Sequence, residues 1–273
     1  MTALQVNRLF IWLPWASEQR LVLAQMKVDD KSNEITAIPA LLELIDITGS
    51  IITIDAMGTQ TEIAQKIIDK KADYVWALRG NHPTLYAQVQ NWFNLAQSQN
   101  FVGVDVSYDK RIEKGHHRTE IREVWSVPVS ALGEIYQPKL WAGLSTVVMV
   151  LRVRHLWNQT TREVQFYLSS LSSDAQLLGQ AIRKHWCIEN QAHWTLDVTF
   201  EEDACRIRSY HSPQNLALLR RMALNALNRE CTYKRSVRQK SKRAAMDNNY
   251  MIQILRSCFL ECTLDSPQPL CQA

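Results

Sequence analysis

The chain has 273 residues, 46% of them hydrophobic, which is enough for a buried core and too apolar for a disordered or low-complexity protein. Only 8 Gly and 8 Pro exclude a collagen-like architecture. The formal net charge of +4 is uneven, because Arg229 to Arg243 holds seven basic residues against Glu230 alone. That run is either a solvated stretch or a polyanion-binding one. The longest apolar stretch, Leu9 to Ala16, is too short to cross a bilayer and has no cleavage pattern after it, so a cytoplasmic protein with no membrane partner is expected. The six cysteines form no CxxC pair, which favours reduced thiols over a disulfide framework and excludes a zinc ribbon.

Arg20 to Met26 reads as a strand. Ile35, Ile38, Leu42 and Ile45 recur at helical spacing, with Asn33 placed to cap the helix, Pro39 in an early turn and Gly49 closing it. Ile51 to Asp55 is β-branched and reads as a buried strand, and Thr59-Gln-Thr-Glu62 is a capping box for a helix through Ile63, Ile67 and Ile68. A second strand over Ala72 to Leu78 precedes a helix with the apolar stripe Leu85, Val89, Trp92, Phe93. This βαβα series implies a sheet with a parallel portion and covering helices. From Val102 to Ser172 the runs Thr119 to Val127, Ser145 to Val153 and Glu163 to Leu168 suggest a β insertion. Helical spacing returns after Asp174 (Leu178, Ile182, Trp186) and after Ser212-Pro213 (Leu216, Leu219, Ala223, Leu227), and a last helix is expected over Met251 to Leu260 before a loose tail from Asp265.

Two carboxylates carry the first functional expectations. Asp55 ends an apolar strand, and open α/β sheets bind ligands at the carboxyl ends of their strands; the competing reading is a turn or capping Asp. Continuing the helix of Leu178 and Ile182 places Glu189 about 20° from Leu178, on the core-facing stripe, where a carboxylate is paired with Arg183 or Lys184 or belongs to a metal site. His185, Glu189 and His193 recur at four-residue intervals, a spacing open to a transition metal, although HExxH is absent.

The words Ile54-Asp-Ala-Met-Gly-Thr-Gln60, Asp73-Tyr-Val-Trp-Ala-Leu-Arg-Gly-Asn81, His185-Trp-Cys-Ile-Glu-Asn190 and His193-Trp-Thr-Leu-Asp-Val-Thr-Phe200, with Glu202-Asp203 after them, resemble the H-repeat-associated insertion-sequence transposases, which are DDE transposases. The resemblance runs from about Ala16 to Leu260. It implies an α/β fold, a ribonuclease H-like mixed sheet flanked by helices, with the β-rich insertion before the Glu-bearing helix and a helical C-terminal part. By segment, 1–15 is an unrelated start, 16–100 the βαβα core, 101–172 the insertion, 173–262 the helical part with the Glu and 263–273 the tail of a single truncated catalytic domain.

The resemblance further implies catalysis of DNA strand cleavage and strand transfer by two Mg²⁺ (or Mn²⁺) ions. Asp55 matches the family's second Asp and Glu189 its Glu, so the two should converge. Arg183, His185 and Asn190 match positions that support the Glu or touch phosphate, while the superfamily's Tyr, Arg and Lys positions hold Ile182, His185 and Leu196. Double-stranded DNA at the element ends and target is the implied partner, with Lys234, Arg235, Arg238, Lys240, Lys242 and Arg243 as candidate contacts and a homo-oligomer left open. The family's first Asp, in an Asp-Gly-Lys context upstream of Ser17, has no counterpart: Met1 to Trp15 contains no Asp or Glu, and Asp29 and Asp30 follow the Arg20 to Met26 strand. A catalytically incomplete remnant is therefore expected, with a non-catalytic DNA-binding or assembly-interfering fragment as the alternative.

Overall fold

The computed structural model describes residues 10–12, 15–28, 34–115, 118–186 and 188–258. Asn33, Asp29, Asp30, Cys187, Cys262, Cys271 and the tail from Asp265 lie outside them, as does the end of the last expected helix. The chain divides into two compact units, one running from Asp46 to Arg183 and the other built from the residues before and after it.

In the unit made from the chain's two ends, β1 (Phe10–Trp12) pairs antiparallel with β4 (Met26–Val28), and β2 (Trp15–Ala16) with β3 (Leu21–Val22). The single strand expected over Arg20 to Met26 is thus two short ones: Arg20 turns at φ +55°, and Leu23 to Gln25 is irregular. Helix α1 (Glu34–Leu44) keeps Pro39 inside, and buries Ile38, Leu41 and Leu42. Gly49, at φ +69°, does not close that helix but lies in the Asp46 to Arg183 unit, where its N–H donates to Lys71 O.

The Asp46 to Arg183 unit is a six-stranded mixed sheet. Strand β5 (Ile51–Ile54) runs parallel to β6 (Asp73–Leu78), joined by α2 (Thr61–Asp69), and α3 (Pro83–Ser98) follows. The insertion adds β7 (Ser107–Gly115), β8 (Arg118–Pro128), β9 (Thr146–Leu156) and β10 (Thr160–Ser169), giving the order β5-β6-β10-β9-β8-β7 with every later pairing antiparallel. Alternation sends Val75, Val124, Val148, Val150 and Tyr167 to one face, where α4 (Ala175–His185) covers them with Ala175, Leu178, Ala181 and Ile182. Gly179 lets α4 approach closely, since a Cβ there would stand 3.1 Å from Val124. On the other face Phe93 of α3 stacks on Phe166 at 5.8 Å, and Tyr74 on Trp76 at 4.4 Å. Each such apolar side chain removed from water contributes about 1.5–3 kcal/mol.

Three expectations change here. Strand β5 is largely half-exposed, with only Ile54 buried, because it is the edge of this sheet among the described residues. Strand β7 was not expected: its residues are polar or charged at all but two positions and none is buried, so no apolar alternation marks it. The capping box does not form, because Thr59 is fully buried and donates its hydroxyl to Ala77 O at 3.1 Å, leaving Gln60 as the N-cap.

Beyond α4 come a one-turn π-helix at Glu189–His193, α5 (Trp194–Val198), α6 (Ser212–Arg229), α7 (Val237–Met246) and α8 (Asn248–Ser257). The π turn resets the helical phase, and Trp186 is 40% exposed outside α4, so the stripe from Leu178 does not extend to Glu189. In α6 the buried positions are Ala217, Arg221, Leu224, Ala226 and Leu227, while Leu219 faces solvent. Leu224 joins Val22, Ala192 and Leu196 in one cluster, and Asn225 clamps the strand by donating to Val22 O and accepting from Val22 N. Cys205, Cys231 and Cys258 are not joined in disulfides. Among the described residues no helix is long and apolar enough to cross a membrane.

Candidate functional site

Parallel strands β5 and β6 end at the same edge of their sheet, and Asp55 is the first residue beyond β5. A single 3₁₀ turn, Ala56–Gly58, follows it, with Gly58 N donating to Asp55 O at 2.9 Å. The loop after β6 braces this turn. Asn81 Nδ2 donates to Ala56 O at 2.6 Å, and the Asn81 side-chain oxygen accepts from Arg79 N at 3.3 Å. His82 Nε2 lies 2.8 Å from Thr59 O. A carbonyl only accepts, so this nitrogen carries the proton, and the imidazole ring also packs edge-on to Trp141 at 5.0 Å. Asp55 itself is exposed, as is Arg79 in the bracing loop. A carboxylate on a cross-braced turn loses little entropy when it takes a ligand. Asn81 and His82 had no expected role, and Thr59 was expected only as part of a capping box. The signal for Asn81 and His82 is the stretch Asp73 to Asn81 and the residue after it, but the contacts span up to 25 positions and follow only from the parallel pairing.

Glu189 opens the π turn in the other unit, and π turns recur at functional sites. Ala192 and Leu196, both buried, anchor the turn and the start of α5. The side chains of Glu189 and Asn190 lie outside the described residues. The nearby cations engage other carboxylates: Arg183 Nη2 lies 3.4 Å from Glu113 Oε2, and Lys184 Nζ 2.7 Å from Glu18 Oε1, whose carboxyl it holds below the usual range. His185 is half-buried beside Trp186, and His193 closes the π turn. Because the helix breaks between them, their four-residue spacing does not define one face. Among the described residues no group of three His, Cys, Asp or Glu is placed to share a metal ion.

The basic run is only partly loop, with Lys234 and Arg235 between α6 and α7, and it is not uniformly exposed. Helix α7 begins at a Ser236 cap and carries Val237, Lys240 and Ala244 on one face. Lys240 is only 7% exposed, with Nζ 2.9 Å from Leu227 O, 3.4 Å from Glu230 Oε2 and also bonded to Glu230 O. It is therefore a structural cation, correcting its expected place among the DNA contacts. Arg243 is exposed, but its guanidinium lies over the rings of Tyr250 at 4.3 Å and Tyr233 at 4.8 Å and 3.7 Å from Asp247. Lys234, Arg235, Arg238 and Lys242 are exposed.

The family model of the transposase DDE domain matches residues 15–226. The "H repeat-associated putative transposase YhhI" of Escherichia coli K12 is 37% identical over 241 residues, 86% of this chain and 62% of that protein. The "Putative transposase YncI" of Escherichia coli O157:H7 is 38% identical over 248 residues, 89% of this chain and 62% of that protein. The chain thus spans less than two thirds of the length of these curated relatives. A piggyBac transposase synaptic complex with hairpin DNA, solved by cryo-EM, aligns with a TM-score of 0.39 at 12% identity, covering 93% of this chain and 48% of that one.

Proposed function

The chain belongs to the DDE transposase family, and from that premise we propose that Asp55 and Glu189 are two of the three carboxylates of its metal site for DNA strand cleavage and strand transfer. The core that carries them would be ribonuclease H-like. The observation that supports this best is the exposed Asp55 carboxylate at the carboxyl end of a parallel strand, on a turn fixed by Asn81, His82 and Thr59.

Asp55 fits a hard divalent cation, being an accessible oxygen donor on a fixed backbone. Glu189 would supply the second carboxylate. Asp55 and Glu189 would hold Mg²⁺ or Mn²⁺, which would supply activation of the attacking oxygen and stabilisation of the leaving one. The protein's own part is to hold Asp55 still and to bring phosphates to it. Arg79, exposed in the bracing loop, suits a phosphate oxygen, and the exposed cations of Lys234 to Lys242 suit the duplex backbone. That these 273 residues contain no Asp-Gly-Lys and no acid before Ser17 supports reading them as catalytically incomplete by themselves.

Purified protein is expected to bind duplex DNA in EDTA and to leave it uncut in Mg²⁺ or Mn²⁺. Absence of binding would remove the DNA reading; cutting that Asp55→Ala abolishes would show a complete site. Exchanging Lys234, Arg235, Arg238 and Lys242 for Gln should flatten the slope of log affinity against log salt by up to about 3.6. A slope equal to that of the parent protein would make the basic run a solvated stretch and nothing more.

A further inference from the structure

The insertion carries a second concentration of positive charge, far in sequence from α7. On β8 and β9 the register sets Glu120 opposite Arg154 and Arg122 opposite Arg152, which places all four side chains on one face of the sheet. Glu120 is buried, its side chain only 6% exposed, and its carboxylate gathers three guanidiniums. Arg122 Nη2 hydrogen-bonds to its Oε1; Arg152 Nε lies 3.3 Å from the same oxygen, and Arg154 Nη2 lies 3.6 Å from Oε2. Arg152 also approaches Glu163, at 3.9 Å, and Arg122 Nη1 lies 3.6 Å from Glu113 Oε1.

One carboxylate accepts about four hydrogen bonds, whereas three guanidiniums offer about fifteen donors. Even with the longer contacts to Glu113 and Glu163, most of that donor capacity is unspent inside the cluster. Arg154 Nε is buried without a hydrogen-bond partner among the described residues. The side chains of Arg152 and Arg154 nonetheless remain 31% and 34% exposed. Standing at i and i+2, they are about 6.8 Å apart along the strand, comparable with the spacing of successive phosphates on one nucleic-acid strand. Planar forks pinned by a buried anion are set in advance for bidentate phosphate contact.

We propose that Arg122, Arg152 and Arg154, gathered on Glu120, form a second contact surface for the phosphate backbone of duplex DNA. This rests on the DNA reading above and adds where the backbone is touched. Glu120 acts as the positioning residue, and Arg152 and Arg154 make the contacts.

The test titrates a fluorescent duplex with the full chain across a range of salt, comparing the parent with Arg152→Gln/Arg154→Gln and Arg152→Lys/Arg154→Lys. The Gln pair should lower the log–log slope by about 1.8, two contacts' worth, and the Lys pair should recover most of it. On the parent protein, bound duplex should protect Arg152 and Arg154 from phenylglyoxal, a readout that holds even if the Gln pair misfolds. Parent protein that binds duplex with an unprotected β9 and a Gln pair of unchanged slope overturns this surface while leaving the DNA reading intact. Parent protein that binds no duplex at all overturns both.

Discussion

Joining the family's Asp-Gly-Lys strand segment in frame ahead of Ser17 is expected to give Mg²⁺-dependent cleavage, which the 273 residues alone are expected to lack. One metal held by two carboxylates can polarise a phosphate. It cannot also generate the nucleophile and stabilise the leaving oxygen, the division of labour on which two-metal chemistry depends. Restoring the third carboxylate should therefore raise cleavage by orders of magnitude, and in the joined protein Asp55→Ala or Glu189→Ala should each cost about a thousandfold or more. Asn81→Ala is the finer probe, since it removes the 2.6 Å bond to Ala56 O while leaving every carboxylate in place. Cleavage of labelled duplex ends checks all of these variants. A joined protein indifferent to Asp55→Ala would take Asp55 out of the site.

The place of Asp55 just beyond a parallel strand was legible because Ile51 to Ile54 is apolar or β-branched, and an acid follows it. The turn that holds it was not legible. Thr59 looked like a helix cap, yet burial against β6 hands its hydroxyl to Ala77 O, and local capping loses to a long-range bond. The same limit explains β7, a strand held by its pairing with β8 rather than by any apolar face of its own. Glu189 was placed by a rotation that assumed one continuous helix. The π turn adds a residue per turn just where the count mattered, so only the family word, not the periodicity, identifies that residue. Charge counting found the basic run and missed its amphipathicity, which turns Lys240 inward between Val237 and Ala244.

That inward lysine leads to the largest stability effect expected of the helical part. Glu230 is 2% exposed; its Oε1 accepts from Thr232 N at 2.7 Å, from Tyr233 N at 3.1 Å and from the Thr232 hydroxyl, and its Oε2 accepts from Tyr250 OH at 2.8 Å and faces Lys240 Nζ at 3.4 Å. Burial alone would push this carboxyl up, but the bonds from Thr232, Tyr250 and Tyr233 and the Lys240 charge together hold it below its ordinary value. Burial and Glu230 also push the Tyr250 hydroxyl well above its usual range, so it stays a donor. Glu230→Ala strands the Lys240 ammonium beside buried carbonyls, and breaking a buried pair in this way costs about 3–5 kcal/mol. Adding Lys240→Met should return a good part of that loss, because the stranded charge goes with it. The carboxyl's depressed value also sets a sign with pH. Its contribution is fully present above the unfolded glutamate value of about 4.3 and is lost as pH falls through the lower folded value. Thermal melts should thus show the parent protein losing more of its midpoint between about pH 5 and pH 3 than Glu230→Gln, whose amide does not titrate there. Parallel pH profiles for the two proteins would show that Glu230 packs in this core without anchoring it.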